Sequence, residues 1–454
     1  MKSNCEGDWR EWQEGVIGKR ASFRHGILLS DRHHFACMNS VSYPAILSDQ
    51  SGFVRRFLFP GFLIFSVCFY SYRFLLGMGS PLTTVYDSDA PEWLRVSKDL
   101  VWLAVLLAGL VFSNGESLAF ARLNRRARPV FFRVLFALVC LFVLMGVIHL
   151  FHHQSTMDTF LYWIRYPLEY IPVAFFMPIF VVRWRPLVPM LLGLGWLSVA
   201  FLCFELLSGR QMGFYNRYGS MLGSPNDYGV FCVLFIIGLL ACARAWSHWL
   251  LLPFMVCGLA LTLSRSAFAG LLAGVCSLLY LRRARIGVLV GLVLLISLAG
   301  LLIWKFPVVF AFEQVQFGLA HLSGLDIDMD NSAALRLNEV RVFQTRFGEF
   351  DLAPLLLGTD YFHIESWYLA LLVRTGIFGL LLWLVVMAAT IFRGWRYRNL
   401  SQDHAVATSC LIAICVACAF IPYPDAFPTN LYLWLTVGTI WLPVDREILE
   451  LAFV

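Results

Sequence analysis

Apolar runs of membrane-crossing length recur along this chain, separated by short polar stretches, at residues 57–77, 99–114, 129–151, 160–182, 186–205, 227–243, 248–263, 266–281, 286–304, 366–392, 404–421 and 429–444. A helix needs roughly 20 mainly apolar residues to cross a bilayer, so the pattern predicts an all-α, polytopic integral membrane protein of about twelve transmembrane helices. Between His248 and Tyr280 the only charge is Arg265. As one helix this stretch would be about 50 Å long against a hydrocarbon core of about 30 Å. It must fold back, with Arg265 marking the turn.

The polar remainder sets the expected organisation. Residues 1–56 read as a poorly ordered cytoplasmic N-terminal segment, 57–304 as transmembrane helices one to nine, and 305–365 as a long periplasmic loop. Residues 366–444 read as helices ten to twelve and 445–454 as a cytoplasmic tail. No cleavable signal peptide is expected, because the first apolar run begins only near Phe57, and Met38 is a candidate alternative start. In the long loop, Leu335, Val340, Phe343 and Phe347 recur at near-helical spacing, which predicts an amphipathic helix over the outer mouth of the bundle. Loops of this length without a task are uncommon.

Of 454 residues, 59% are hydrophobic and 14% charged, where a soluble domain carries about a quarter charged residues. The formal charge of +6 is clustered in a way that membrane orientation explains better than nucleic-acid binding does, and no nucleic-acid partner is expected. Basic patches lie at Arg122, Arg125, Arg126 and Arg128, at Arg183 and Arg185, at Arg244, at Arg282, Arg283 and Arg285, and at Arg393, Arg396 and Arg398, and each successive pair of patches brackets two apolar runs. The positive-inside rule places them in the cytoplasm, with both termini. Cysteines such as Cys140, Cys203, Cys232, Cys257 and Cys276 fall inside apolar runs and read as reduced hydrophobes; Cys410, Cys415 and Cys418 lack a nearby histidine or acid at ligand spacing.

Four features on the predicted outer side could carry chemistry. The loop from Arg210 to Asp227 places Arg217 and Asn226 just outside a span; the local alternative is a snorkelling arginine and a Ser224-Pro225-Asn226-Asp227 helix cap. Arg265 sits in Leu261-Thr262-Leu263-Ser264-Arg265, near the apolar boundary, where charge is costly and tends to be functional. Two guanidinium forks converging on one pocket suit a diphosphate. The long loop adds Arg336, Arg341 and Arg346, five apart and so not on one helical face, and Asp326, Asp328 and Asp330, which lack the glycine and glutamate of a calcium loop. No metal site or cofactor is expected. Last, His363 and Glu365 precede the tenth run; either could act as general base toward a hydroxyl, while Glu365 also suits a helix N-terminus.

Taken in order, the Arg217–Asn226 segment, the Leu261–Arg265 turn, the long loop with Pro354-Leu355-Leu356-Leu357-Gly358, and Glu365-Ser366-Trp367-Tyr368-Leu369 followed by Gly376 and Gly379 resemble the O-antigen ligase and Wzy-type O-antigen and exopolysaccharide polymerase family. The likeness is strongest over residues 210–380. It implies a metal-independent, inverting glycosyltransferase at the periplasmic face of a bacterial inner membrane, acting on a glycan carried by undecaprenyl diphosphate. It further implies that Arg217 and Arg265 hold the diphosphate and stabilise the leaving group, with Arg336, Arg341, Asn226 and Arg210 as substrate contacts and His363 or Glu365 addressing the acceptor hydroxyl. The expected partners are that lipid-linked donor, a glycan or lipid acceptor, membrane lipids, and flippase and chain-length-regulating proteins. Ligases of the family show His-Asn at the start of the tenth span, where this chain has Glu365-Ser366, which favours polymerase. The alternatives are a ligase moving the glycan to lipid A core and a transporter or flippase of the same lipid-linked glycan.

Overall fold

The computed structural model describes residues 54–69, 92–112, 125, 128–151, 166–181, 184–208, 218–242, 246–282, 341, 344, 356, 358, 364, 366–422 and 427–443. Among them the regular structure is helical, with no strand. The helices are α1 (Phe59–Cys68, entered through a wide turn at Val54–Leu58), α2 (Glu92–Phe112), α3 (Pro129–Phe151), α4 (Ile171–Phe180), α5 (Val188–Ser208), α6 (Pro225–Cys242), α7 (Trp246–Thr262), α8 (Arg265–Arg282), α9 (Trp367–Tyr397), α10 (Gln402–Ala417) and α11 (Thr429–Ile440).

Three helical segments, Pro129–Ile148, Val188–Ser208 and Trp367–Tyr397, are long and apolar enough to cross a membrane. Each of the other described helices falls on one of the remaining apolar runs, apart from the run at 286–304, which lies outside the described residues. So do the apolar positions Leu335, Val340, Phe343 and Phe347 of the amphipathic helix expected in the loop, where only residues 341 and 344 are described, the aspartates at 326, 328 and 330, and the N-terminal and C-terminal segments up to residue 53 and from residue 444. Helix α2 begins seven residues before its apolar run, with Glu92, Arg95 and Lys98 in the added stretch of about two turns.

The α7–α8 hairpin folds back where the charge pattern required it. Only Leu263 and Ser264 separate the two helices, and Leu263 takes a left-handed φ of 50°, a costly conformation for a bulky residue. Helix α8 packs most closely on α10. A Cβ at Gly270 would stand 2.8 Å from the Ala413 carbonyl oxygen, and one at Gly274 would stand 2.9 Å from the Ala413 side chain. Such small-residue faces let the two backbones approach closely and gain dispersion contact.

This pairing is antiparallel and separates two ends of the bundle. Arg265, Ala417, Pro225, Thr429 and Trp367 gather at one end, which we call the turn end: Trp367 N–H donates to the Cys418 carbonyl at 3.0 Å, and Thr429 Oγ1 donates to Asp227 at 2.6 Å. Arg55, Arg393, the start of α10 and the last turn of α11 lie at the other, basic end. Arg55 donates to the carbonyls of Pro178 (3.1 Å) and Ile179 (3.2 Å) in the last turn of α4. Arg393 donates to those of Ile440 (2.9 Å) and Leu442 (3.4 Å) closing α11. Both cations thus satisfy helix C-terminal carbonyls and oppose the negative end of a helix dipole. Trp441 is held between Arg393, 5.0 Å from its ring, and Phe131, stacked at 3.6 Å.

Helix α9 is broken. Gly376 has φ 65° and ψ −171°, a region open in practice only to glycine. The rings of Trp367 and Trp383 meet at 6.4 Å, although a straight helix would hold their Cα atoms about 24 Å apart. The two halves therefore fold toward each other at Gly376, and the bend is filled by an aromatic cluster of Trp367, Tyr368, Trp383 and Tyr166.

Candidate functional site

The best-described constellation lies at the turn end, where the starts of α6 and α8 meet. Ser224 caps α6, accepting the Asp227 amide at 3.4 Å with Pro225 in the first turn. This is the cap expected from sequence, and it leaves Asn226 turned toward α8. Ser264 Oγ donates to Asn226 Oδ1 at 3.0 Å and shares a 3.0 Å hydroxyl contact with Ser266, while the Ser264 amide donates to Thr262 Oγ1 at 3.2 Å. Arg265, partly exposed, is the first residue of α8. A cation there faces the positive end of its own helix dipole, a placement disfavoured by about 0.3–1 kcal/mol. An anion at the same point would be drawn by the guanidinium, by the dipole and by the amides of the first turn.

The segment leading into α6 is held by a carboxylate that the sequence reading passed over. Glu205, fully buried near the end of α5, accepts the amides of Gly219 (3.4 Å) and Ser220 (2.8 Å). Ser220 Oγ donates to the Ser198 carbonyl at 2.8 Å, and Tyr218 N–H donates to the Leu261 carbonyl at 3.3 Å. Ser220 itself has φ 49°. Glu205 thus fixes a strained loop against the α7–α8 turn. A lone acid inside an apolar run was the available signal, since ionisable groups in such runs are costly and have a role.

Two of the four sequence features are therefore brought together: the Asn226 segment and the Arg265 turn. Arg341 is exposed. Arg210, Arg217, Arg336, Arg346, His363 and Glu365 lie outside the described residues. Two neighbours of the last group are described. Ser366 starts α9 in an extended conformation, and Gly358, with φ 89°, packs its backbone against α9 where a Cβ would stand 2.5 Å from the Arg374 carbonyl. The late part of the long loop thus enters the bundle beside the break at Gly376. Arg374, 3% exposed, sits there with its guanidinium 6.0 Å from the Trp367 ring. The sequence reading assigned it no role.

Among the described residues no three His, Cys, Asp or Glu side chains converge as metal ligands, and every described cysteine is a free thiol. A scan against protein-family models finds no match, and no curated protein sequence matches the chain.

Proposed function

We propose that this protein is a glycosyltransferase that polymerises lipid-diphosphate-linked oligosaccharide repeat units into O-antigen or exopolysaccharide on the periplasmic face of a bacterial inner membrane. The observation that carries the reading is Arg265 at the first residue of α8, tied through Ser264 to Asn226 at the start of α6. The starts of two helices and an arginine thus lie side by side, a combination that suits a phosphate group. In the reading's finer form the chain crosses the membrane about twelve times, with the turn end facing the periplasm.

In the reaction, an acceptor hydroxyl attacks the anomeric carbon from the face opposite the diphosphate, the carbon–oxygen bond to the diphosphate breaks, and the configuration inverts. The hydroxyl proton passes to His363 or Glu365, and the bonding pair leaves with the diphosphate. Arg265 and Arg217 neutralise the negative charge that grows on the leaving diphosphate as the bond breaks, so they stabilise the transition state more than the ground state. Arg336, Arg341 and Arg210 complete the donor subsite.

The transporter reading has one observation in its favour. Broken helices and buried ionisable groups line substrate paths in transporters, and α9 is broken at Gly376 beside the buried Arg374. The ligase reading shares the donor site and differs in its acceptor.

The deciding experiment is the glycan and lipid-carrier profile of a deletion strain. Loss of a polymerase leaves single repeat units on the carrier or on core; loss of a ligase leaves long chains on the carrier; loss of a flippase leaves repeat units in the inner leaflet. Complementation with Glu365→Gln and His363→Ala separately identifies the base. Normal chain length with well-expressed Arg265→Ala would rule out the catalytic assignment.

A further inference from the structure

At the basic end, away from the Arg265 site, a cavity of about 640 Å³ opens between α1, α5, α6, α10 and α11. Its wall is apolar, formed by residues such as Leu192, Phe231, Phe235, Val406 and Leu435. Most of its polar lining gathers at one end, with Trp184 before α5, His248 in the first turn of α7, and Gln402 and Asp403 at the start of α10, while Thr436 and Tyr432 lie further in. That mouth is tied together by hydrogen bonds. The Trp184 indole N–H donates to Thr439 Oγ1 at 2.9 Å, its backbone N–H to Asp403 Oδ2 at 3.5 Å, and the Gln402 amide to the Ala241 carbonyl at 2.8 Å. From Thr439 at the mouth to Tyr432 at the far end the cavity runs seven residues along α11, about 10 Å.

A void of this size falls in the range of small-molecule sites. Left empty it would forfeit dispersion contacts along its whole wall. Water would need two to four polar partners per molecule, and beyond the mouth the wall offers only the Thr436 and Tyr432 hydroxyls, too few to fill it with water. In a bilayer the apolar matter at hand is lipid chain, and a polar mouth at the helix ends lies at headgroup level, within reach of one leaflet of a core about 30 Å thick. Gly238 marks the wall as built around open space, since a Cβ added there meets nothing within 4 Å.

The mouth also selects a headgroup. Asp403 offers carboxylate lone pairs to an ammonium, and the His248 ring offers a donor to a phosphate oxygen. We propose that this cavity is a specific site for one glycerophospholipid with an ammonium-bearing headgroup of the ethanolamine class, drawn from the leaflet at the basic end. The site is independent of the glycosyltransferase reading.

The test is native mass spectrometry of the full chain, purified in detergent, stripped of lipid, and titrated with phosphatidylethanolamine or phosphatidylglycerol. The expected result is a saturable one-to-one adduct with the ethanolamine lipid, about tenfold tighter than with the glycerol lipid, as one charge-assisted hydrogen bond allows. Gly238→Leu places a side chain in the open space and removes the adduct. Asp403→Asn keeps the cavity and abolishes the preference between headgroups, so it tests the site even where Gly238→Leu fails to fold. No saturable adduct, an unchanged adduct in Gly238→Leu, or equal affinity for the two lipids in the unaltered protein would overturn the proposal.

Discussion

The two ends of the bundle use arginine in opposite ways. At the basic end Arg55 and Arg393 are buried and donate to carbonyls that close α4 and α11. The expected membrane charge rule is one reason for basic residues there, and the structure shows another: each cation satisfies groups that a helix C-terminus leaves without intrahelical partners. At the turn end Arg265 stands at a helix N-terminus, where the same charge is locally unfavourable. An arginine that helix physics favours is explained by the fold. One that helix physics opposes is the one that the proposed diphosphate site would use, and the contrast offers a way to tell scaffold from site.

The sharpest way to break that contrast is to remove each kind of arginine and read activity and stability separately. Arg265→Ala is expected to lower polymer formation by about 100-fold or more, with little change in melting temperature in detergent; an activity loss fully explained by lost protein would return Arg265 to the scaffold. Arg393→Ala is expected to cost about 2 kcal/mol of stability, because the Ile440 and Leu442 carbonyls lose their donor, while activity per folded molecule holds. Thermal unfolding beside normalised turnover checks both.

A second pair sharpens the turn end itself. Gly376→Ala is expected to destabilise by about 1–3 kcal/mol, since alanine resists φ 65°, and tryptophan fluorescence should report the loosening of the Trp367–Trp383 contact. Glu205→Gln keeps the shape of the side chain but weakens its hold on the Gly219 and Ser220 amides. Its expected effect is about 1 kcal/mol and a rise in the donor concentration needed for half-maximal activity. Smallest is Ser264→Ala, which removes the link to Asn226 and should cost a few-fold in activity, about 1 kcal/mol in the transition state.

Much of the scaffold was legible from hydropathy alone. The fold-back at Arg265 followed from length, because no single helix of that run fits a bilayer, and the Ser224 cap followed from residue type. Other parts were not legible. Gly376 reads in sequence as one more small residue of a long apolar run, and only backbone geometry reveals a break there. Glu205 was a visible acid among apolar neighbours, but nothing local says that its partners are amides 14 and 15 residues away. Gly270 and Gly274 look like ordinary glycines until α10 is laid against them.

What could be read from the sequence alone is which runs are long and apolar, where a run is too long for one bilayer-crossing helix, and where positive charges cluster. These depend on composition over windows of about 20 residues, and composition survives in one dimension. Which polar groups meet was settled by how the helices pack. The Asn226–Ser264 link, the Arg393 cap on α11, the Gly358 approach to Arg374 and the cavity beside Gly238 each join residues far apart in the chain. Hydrogen bonds and close packing act over a few ångströms in space, so their partners are set by helix placement and not by sequence neighbourhood.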